Sequence, residues 1–475
     1  MLQKKATSRE DIVITGMSCR FAQSPDPAAF WRNILQRRAL FTPLAQEEKA
    51  APGRPRPNVF DRPFPTHAAQ LHDLYAYDPN AQRFPRAMSP GENPDVFFMV
   101  QLVIDALRDS GCSIGNLPTD CVSLRLGYVP QFNGAVVGWL QNTLFLDQTL
   151  DIIQKIFPQA ESDQLEGVRA KLAASLAKPS PYAFMSAFGC SMAAWVAHLL
   201  GFAGPATVLE AGGVSAHQSV QSAMDDLLAR RADIAVAGAL QPPLSSQMLQ
   251  GMSGAITFSR GKGLHPFSRA CDGTLPGEGG AVFVLKRLKD ALREKDRIYA
   301  IIRSTGVVTA SLDPPRKVPP PAERMARAFR RALDAAGLAP GTLAYVEGHG
   351  CGVPYLDERE LEVLQDVLGA RTTARPLTGL GAVKGNIGNT LWAAGAASLL
   401  KAALAIHHRV LPPNVEVERV HARLTAAQSP LYLLAEARPW VRGSKAAPRR
   451  AGVLAVDFTG TCGAAVLEEY TGGEA

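Results

Sequence analysis

The stretch Gly204-Pro-Ala-Thr-Val-Leu-Glu-Ala-Gly-Gly-Val-Ser-Ala-His217 decides the fold, because it reads as a buried strand running through a glycine turn into a helix start. The turn is Gly212-Gly213. Beyond it Val220, Ala223, Met224, Leu227 and Leu228 recur at helical spacing and give that helix one apolar face. A strand-to-helix elbow is a natural mount for a nucleophile, since unpaired helix N–H groups and the positive dipole end favour a developing anion. This elbow carries none, because neither turn residue has a side chain.

Outward from the elbow, the pattern alternates strand and helix. Upstream lie a short strand at 12–16, a helix opened by Pro25, Asp26 and Pro27, a proline-rich excursion at 42–67, a helix at 94–111 and a strand at 122–128. Residues 134–178 read as two amphipathic helices, suited to a lid, a dimer surface or core packing, and 193–198 as a further helix. A strand at 233–238 and glycine-rich loops at 260–267 and 272–279 follow the elbow. The second half repeats the scheme. It has a strand at 299–308, a proline-rich loop at 311–321, a helix at 323–336 closed by Gly337, a strand at 343–347 and a helix at 358–368. A loop at 384–389, a helix at 391–407 and strands at 452–458 and 464–469 complete it. Two similar halves, 1–270 and 271–475, each presenting an elbow to the middle, imply one duplicated α/β unit of five layers, αβαβα.

A chain of 475 residues with 47% hydrophobic content builds a substantial core. Its seven cysteines are scattered, odd in number and free of C-x-x-C spacing, which argues against a disulfide framework or a zinc site and for a reducing cytoplasm. No window approaches the roughly 20 apolar residues of a membrane span. The net charge of +7 favours anionic partners. The basic residues are dispersed without interleaved aromatics, so an acidic protein suits them better than nucleic acid. Neither G-x-G-x-x-G after a strand nor G-x-x-x-x-G-K-[ST] occurs, which removes the usual nucleotide loops.

With Val346-Glu-Gly-His349-Gly-Cys-Gly352, Val383-Lys384-Gly-Asn-Ile-Gly-Asn389 and Val456-Asp-Phe458-Thr-Gly-Thr461, the elbow resembles the active-site framework of the polyketide and fatty-acid ketosynthases, of thiolase ancestry. The resemblance spans about residues 10–470. It places the family's acyl-carrying cysteine on Gly213, its first catalytic histidine on His349, its lysine on Lys384 and its second histidine on Asn389. Phe458 matches the aromatic gate, with Asp457 and Thr459 in place of two gate glycines. Glu210 stands where the family often carries aspartate, and Cys351 where it has threonine.

Condensation needs a thiolate to hold the acyl chain and two imidazoles to promote decarboxylation and stabilise enolate and oxyanion. Glycine forms no thioester. His349 and Asn389 together remain able to polarise a thioester carbonyl; equally, both satisfy buried hydrogen bonds. His198 and His217 read as core or interface histidines. The resemblance therefore implies a chain-length-factor-like, catalytically silent subunit that pairs with an active ketosynthase and receives the phosphopantetheine arm of an acyl carrier protein, with no bound cofactor and no metal. The alternatives are a decarboxylase of malonyl-carrier protein working through His349 and Asn389, and a non-elongating docking or transfer domain.

Overall fold

The computed structural model describes residues 10–44, 64–71, 94–113, 115, 117–130, 134–176, 184–309, 322–371, 377–415, 417–443 and 447–472. Most of the 42–67 excursion and the whole 311–321 loop lie outside them.

Eleven strands form one continuous mixed sheet. In chain order these are β1 (Ile12–Phe21), β2 (Val122–Gly127), β3 (Ala206–Leu209), β4 (Ile234–Gln241), β5 (Gly279–Arg287), β6 (Ala300–Val308), β7 (Tyr345–Glu347), β8 (Thr378–Gly381), β9 (Leu431–Leu433), β10 (Arg450–Val456) and β11 (Cys462–Glu468). Across the sheet they run β3-β2-β4-β5-β1-β6-β11-β10-β7-β8-β9. From the β1–β6 seam outward, each side reads first strand, fifth, fourth, second, third, with β9 added at the far edge. The pairing repeats too. In each half the pairs made by the fifth strand are antiparallel and those made by the second are parallel. The sheet therefore records the duplication directly. The division drawn after residue 270 falls before β5, which pairs with β1 and β4 and so belongs to the first half-sheet.

Period-2 alternation sends the side chains of each strand to two layers. On β4, Ala235, Ala237 and Ala239 face the middle of the molecule while Ile234, Val236 and Leu240 face outward. Outside the first half-sheet pack α1 (Pro94–Asp109) and α2 (Gly189–Leu200). Between the half-sheets lie α3 (Ser215–Leu228) and α6 (Ala394–His408), and outside the second pack α4 (Ala322–Ala336) and α5 (Pro354–Leu368). Five layers result. The inner pair must be slim, and α6 meets this with Ala396, Ala397, Ala402, Ala403 and Ala405, all buried. At the end of α4, Gly337 takes φ +65°, the left-handed closure its position implies.

Two expectations change. The strand before the elbow, β3, is not buried: it is the outer edge of the first half-sheet, with Thr207 exposed and its neighbours half-buried. Its apolar side chains mimic a core strand because sequence cannot separate burial by the chain's own layers from apolarity left at an edge. The 134–178 region forms helices at Gly134–Leu140, Leu146–Ile156 and Ser162–Ser175 that bury little, Val136 and Leu146 being their buried apolar residues, so of its three expected uses a lid over the cavity is the one the structure changes. None of its described residues lines the central cavity, and Ser162–Ser175 buries no residue.

Candidate active site

The elbow is closed by its own serine. Ser215 Oγ donates to the Gly212 carbonyl at 2.8 Å and accepts from the Ala211 N–H at 2.9 Å, so the chain turns directly into α3. Gly212 sits at φ +52°, and an added Cβ there would fall 1.6 Å from Asp457 Oδ1. At Gly213 an added Cβ would approach the Val456 carbonyl oxygen to 2.8 Å, closer than real Cβ contacts. The second half has thus closed over the first-half elbow.

Asp457 makes the closure polar. Its Oδ1 accepts the Gly213 N–H at 3.1 Å, and its Oδ2 accepts the Thr459 N–H at 2.8 Å and the Thr459 hydroxyl at 2.5 Å. A carboxylate at the first amides of α3 is the favoured partner of that helix end. The amide that would cradle an oxyanion at residue 213 is therefore already bound.

One cavity of about 90 Å³ gathers Gly212, Gly213, His349, Cys351, Asn389, Asp457 and Phe458 from both halves. Phe458 and Tyr355 stand half-exposed in its wall. Lys384 lies behind His349 rather than in the wall. Glu210 is exposed and outside the lining, as is His198 on α2. His217 is buried in the core, where Gly395 of α6 and Gly463 of β11 leave room for its ring.

His349 follows β7 in the Gly348-His349-Gly350 turn. Its Nδ1 accepts the Val456 N–H at 3.2 Å and faces the Lys384 ammonium at 3.3 Å. With Nδ1 accepting, the ring proton sits on Nε2 and makes it a donor. Burial, and then the Lys384 charge, hold the imidazole far below its ordinary pKa, so it stays neutral. Lys384 Nζ also donates to the His349 carbonyl at 2.7 Å, and burial lowers its own pKa against the pull of Cys351, Glu360 and Glu347. Asn389 Oδ1 accepts the Leu391 N–H at 3.3 Å, which leaves the Nδ2 amide as the free end. The cavity therefore offers two neutral donors from the histidine and asparagine loops, His349 Nε2–H and Asn389 Nδ2–H. Burial and then Asp357 push the Cys351 thiol well above the usual range, which works against a thiolate there.

The loop is held from below by residues that the motifs did not single out. Glu360 accepts the His349 N–H at 2.5 Å and the Gly350 N–H at 2.8 Å, while Asp357 accepts the Phe267 and Gly352 N–H groups at 2.8 and 3.0 Å. Burial pushes these carboxyls up to about 8 and about 6 respectively. Their i,i+3 spacing on one face of α5, directly after the histidine loop, was a signal available in the sequence. Glu347 is paired at 3.0 Å with Lys401, both fully buried, and accepts the Val383 N–H at 2.6 Å, which fixes the approach to Lys384. Trp392 and Thr274 of the 272–279 loop also belong to the cavity wall, and neither was singled out in the sequence. Among the described residues no cluster of three or more His, Cys, Asp or Glu could hold a metal ion, and no helix is long and apolar enough to cross a membrane.

Comparison with known proteins agrees with this architecture. The chain is 29% identical over 465 residues to a mycocerosic acid synthase-like polyketide synthase of Mycolicibacterium smegmatis, covering 96% of this chain and 20% of that protein. It is 28% identical over 484 residues to the polyketide synthase ThaG of Burkholderia thailandensis, covering 98% and 8%. It thus spans a fifth or less of these two relatives. Among solved structures, the ketosynthase from module 6 of the Bacillus subtilis bacillaene synthase superposes with a TM-score of 0.77 at 25% identity, covering 97% of this chain and 72% of that one. An oxazolomycin ketosynthase domain of Streptomyces albus gives the same TM-score and identity, covering 97% and 75%. The model of the Beta-ketoacyl synthase N-terminal domain matches residues 9–291 and that of the C-terminal domain residues 299–418. Folded as two halves around one shared cavity, and matched by both domain models in order, the chain belongs to the beta-ketoacyl synthase family.

Proposed function

We propose that this chain is a ketosynthase-family subunit that does not condense. It acts as a chain-length-factor-type partner of an active ketosynthase in polyketide or fatty-acid-type biosynthesis, in the cytoplasm, on acyl groups brought by the phosphopantetheine arm of an acyl carrier protein. The observation that carries this reading is Gly213, which has no atom to bear a thioester and whose N–H is already held by Asp457. A small cavity of about 90 Å³ suits a subunit that sets where a chain stops.

The pairing surface in this proposal is the open edge of β3. An unpaired edge strand is a template for another chain. Near it the half-buried Trp139 and the exposed Phe184 and Phe188 form an aromatic cluster with centroids 5.1 and 5.0 Å apart, and Ile152 and Ile156 are exposed on the helix Leu146–Ile156, with Phe145 and Phe157 exposed just beyond its two ends. Obligate interfaces of about 2,000 Å² or more are built from such apolar surface. The +7 charge suits an acidic carrier protein at the joint complex, with binding that weakens as salt rises. Co-expression with candidate ketosynthases, native mass spectrometry and a product assay test the proposal. A heterodimer that changes product length is expected. A homodimer that ignores every ketosynthase and leaves product length unchanged would move the role to a docking or transfer domain.

The two free donors favour one second reading, decarboxylation of a malonyl thioester with His349 and Asn389 stabilising the enolate oxygen. Loss of CO2 from malonyl-carrier protein must then fall about 100-fold or more in His349→Ala. Unchanged release removes this reading.

A further inference from the structure

Three functional groups meet around the bare glycine at 213. An added Cβ there would stand 2.8 Å from the Val456 carbonyl oxygen and 3.6 Å from that of Leu391. The N–H groups of these same two residues orient the donors, since Val456 N–H donates to His349 Nδ1 and Leu391 N–H to Asn389 Oδ1. The third group is Asp457, next in the chain after Val456, whose Oδ1 accepts the Gly213 N–H at 3.1 Å. Gly213, His349, Asn389 and Asp457 all belong to the wall of the cavity of about 90 Å³.

The Asp457 carboxylate has accepting capacity left. An ionised carboxylate offers about four acceptor sites. Among the described residues, Thr459 fills two on Oδ2 through its N–H and its hydroxyl, and Gly213 fills one on Oδ1. The open site is therefore on Oδ1, the oxygen that an added Gly212 Cβ would strike, so it stands over the bare face of the turn. Two donors on the oxygen of an acyl carbonyl and a carboxylate beside it are the parts needed to take a proton from the neighbouring carbon. The donors stabilise the enolate oxygen as it forms, and the base receives the proton. With no side chain at 213, no nucleophile competes for the carbonyl carbon.

Resting on the reading that the site does not condense, we propose that this chain enolises acyl thioesters with Asp457 as the general base. The thioester carbonyl accepts from His349 Nε2–H and Asn389 Nδ2–H. Asp457 Oδ1 takes a proton from C2, the electron pair of that C–H bond becomes the C1–C2 double bond, and the carbonyl π pair moves onto the enolate oxygen. The Asp457 carboxyl then exchanges its proton with water and returns one to C2 as the double bond reverts. No bond to the chain forms and no co-reactant is consumed. The net change is replacement of a C2 hydrogen from solvent, the first half of any shift of configuration or double bond at that carbon.

The test incubates the full chain with butyryl-pantetheine in heavy water and reads deuterium at C2 by proton NMR and mass spectrometry. Exchange about 10,000-fold faster than in buffer is expected, because a positioned base and a pair of oxyanion donors contribute roughly 100-fold or more each. Asp457→Asn keeps an oxygen for the Gly213 N–H and removes the base, so exchange should fall about 100-fold or more. Asn389→Ala keeps the base and removes one donor, and should cost roughly 100-fold. Exchange no faster than buffer with the parent chain overturns the proposal, and so does unchanged exchange in Asp457→Asn. Where circular dichroism shows that variant unfolded, unchanged exchange in Asn389→Ala overturns it instead. Release of butyrate and free pantetheine with no deuterium at C2 also overturns it, since Asp457 would then activate water. Intact mass and a condensation assay on the same preparation report separately: an acyl adduct or a condensed product would sink the silent-site reading whether or not C2 exchanges.

Discussion

The two elbows of this molecule share a backbone and differ in almost everything else. The first passes from β3 through a 3-10 turn at Gly212–Val214 into α3, and the second passes through a 3-10 turn at Leu391–Ala393 into α6. Each turn begins with a left-handed residue, Gly212 at φ +52° and Leu391 at φ +42°. Each closes with the same bond, Val214 N–H to the Ala211 carbonyl at 3.0 Å and Ala393 N–H to the Thr390 carbonyl at 2.8 Å. What stands on the turn then decides the chemistry. The first elbow presents no side chain, and its Gly213 amide is bound by a carboxylate from the other half; the second presents Asn389 to the cavity. The two turns share their geometry, and the side chain offered to the cavity comes from the second half.

The comparison breaks most visibly at Asp457. Gly213→Cys alone puts a Cβ against the Val456 carbonyl and leaves the residue 213 amide occupied, so a thioester carbonyl finds no oxyanion donor there. No acyl adduct is expected by intact mass after incubation with an acyl thioester. Adding Asp457→Gly frees the amide. The double variant should then acylate, with the new thiol displacing the donor thiol and passing its proton to it. Equal adduct on both variants would show that the carboxylate does not close this elbow.

A smaller effect sharpens the contrast one turn into α3. His217 is fully buried, and neither ring nitrogen has a partner among the described residues. Burial and then Lys384 lower its pKa to about 4. The folded state thus holds the neutral ring, while the unfolded chain protonates near 6.5. The stability it contributes is full above pH 6.5 and is lost as the pH falls toward 4. A shift of this size corresponds to about 3 kcal/mol. His217→Leu should flatten that slope, read as the difference in urea midpoint between pH 7 and pH 4.5. Parallel slopes in variant and parent would mean that the buried ring does not govern acid sensitivity.

How much of this was legible depended on distance along the chain. The alternation of strand and helix identified the layers because each element states its buried face locally. The grouping of His349, Lys384, Asn389 and Phe458 was legible because each stands in a short loop at a strand end. The Asp457 latch was not: its partner amide lies 244 residues away, and an aspartate in a short loop between two strands reads as a turn former. Trp392 and Thr274 were missed for a related reason. Indole and threonine suit core, surface or cavity alike, and only the folded walls show that their polar atoms lack partners. The edge position of β3 was hidden by its own apolarity.

The finest difference between the elbows is the price of their first residue, and it can be isolated. Glycine enters the left-handed region freely, whereas a residue with a Cβ is disfavoured there by roughly 1–2 kcal/mol. Leu391 is buried, so truncating it also loses packing, and no single substitution separates the two effects. The pair Leu391→Ala and Leu391→Gly does, because both remove the isobutyl group and differ only in the Cβ. In a right-handed helix alanine is the more stable of the two by about 1 kcal/mol. At φ +42° the order must invert, with the glycine variant more stable by roughly 1 kcal/mol in chemical denaturation. The same pair made at Ala394, the first residue of α6, should keep the ordinary order. If alanine is also favoured at 391, the second elbow does not hold its left-handed turn in solution, and its likeness to Gly212 ends at the first residue.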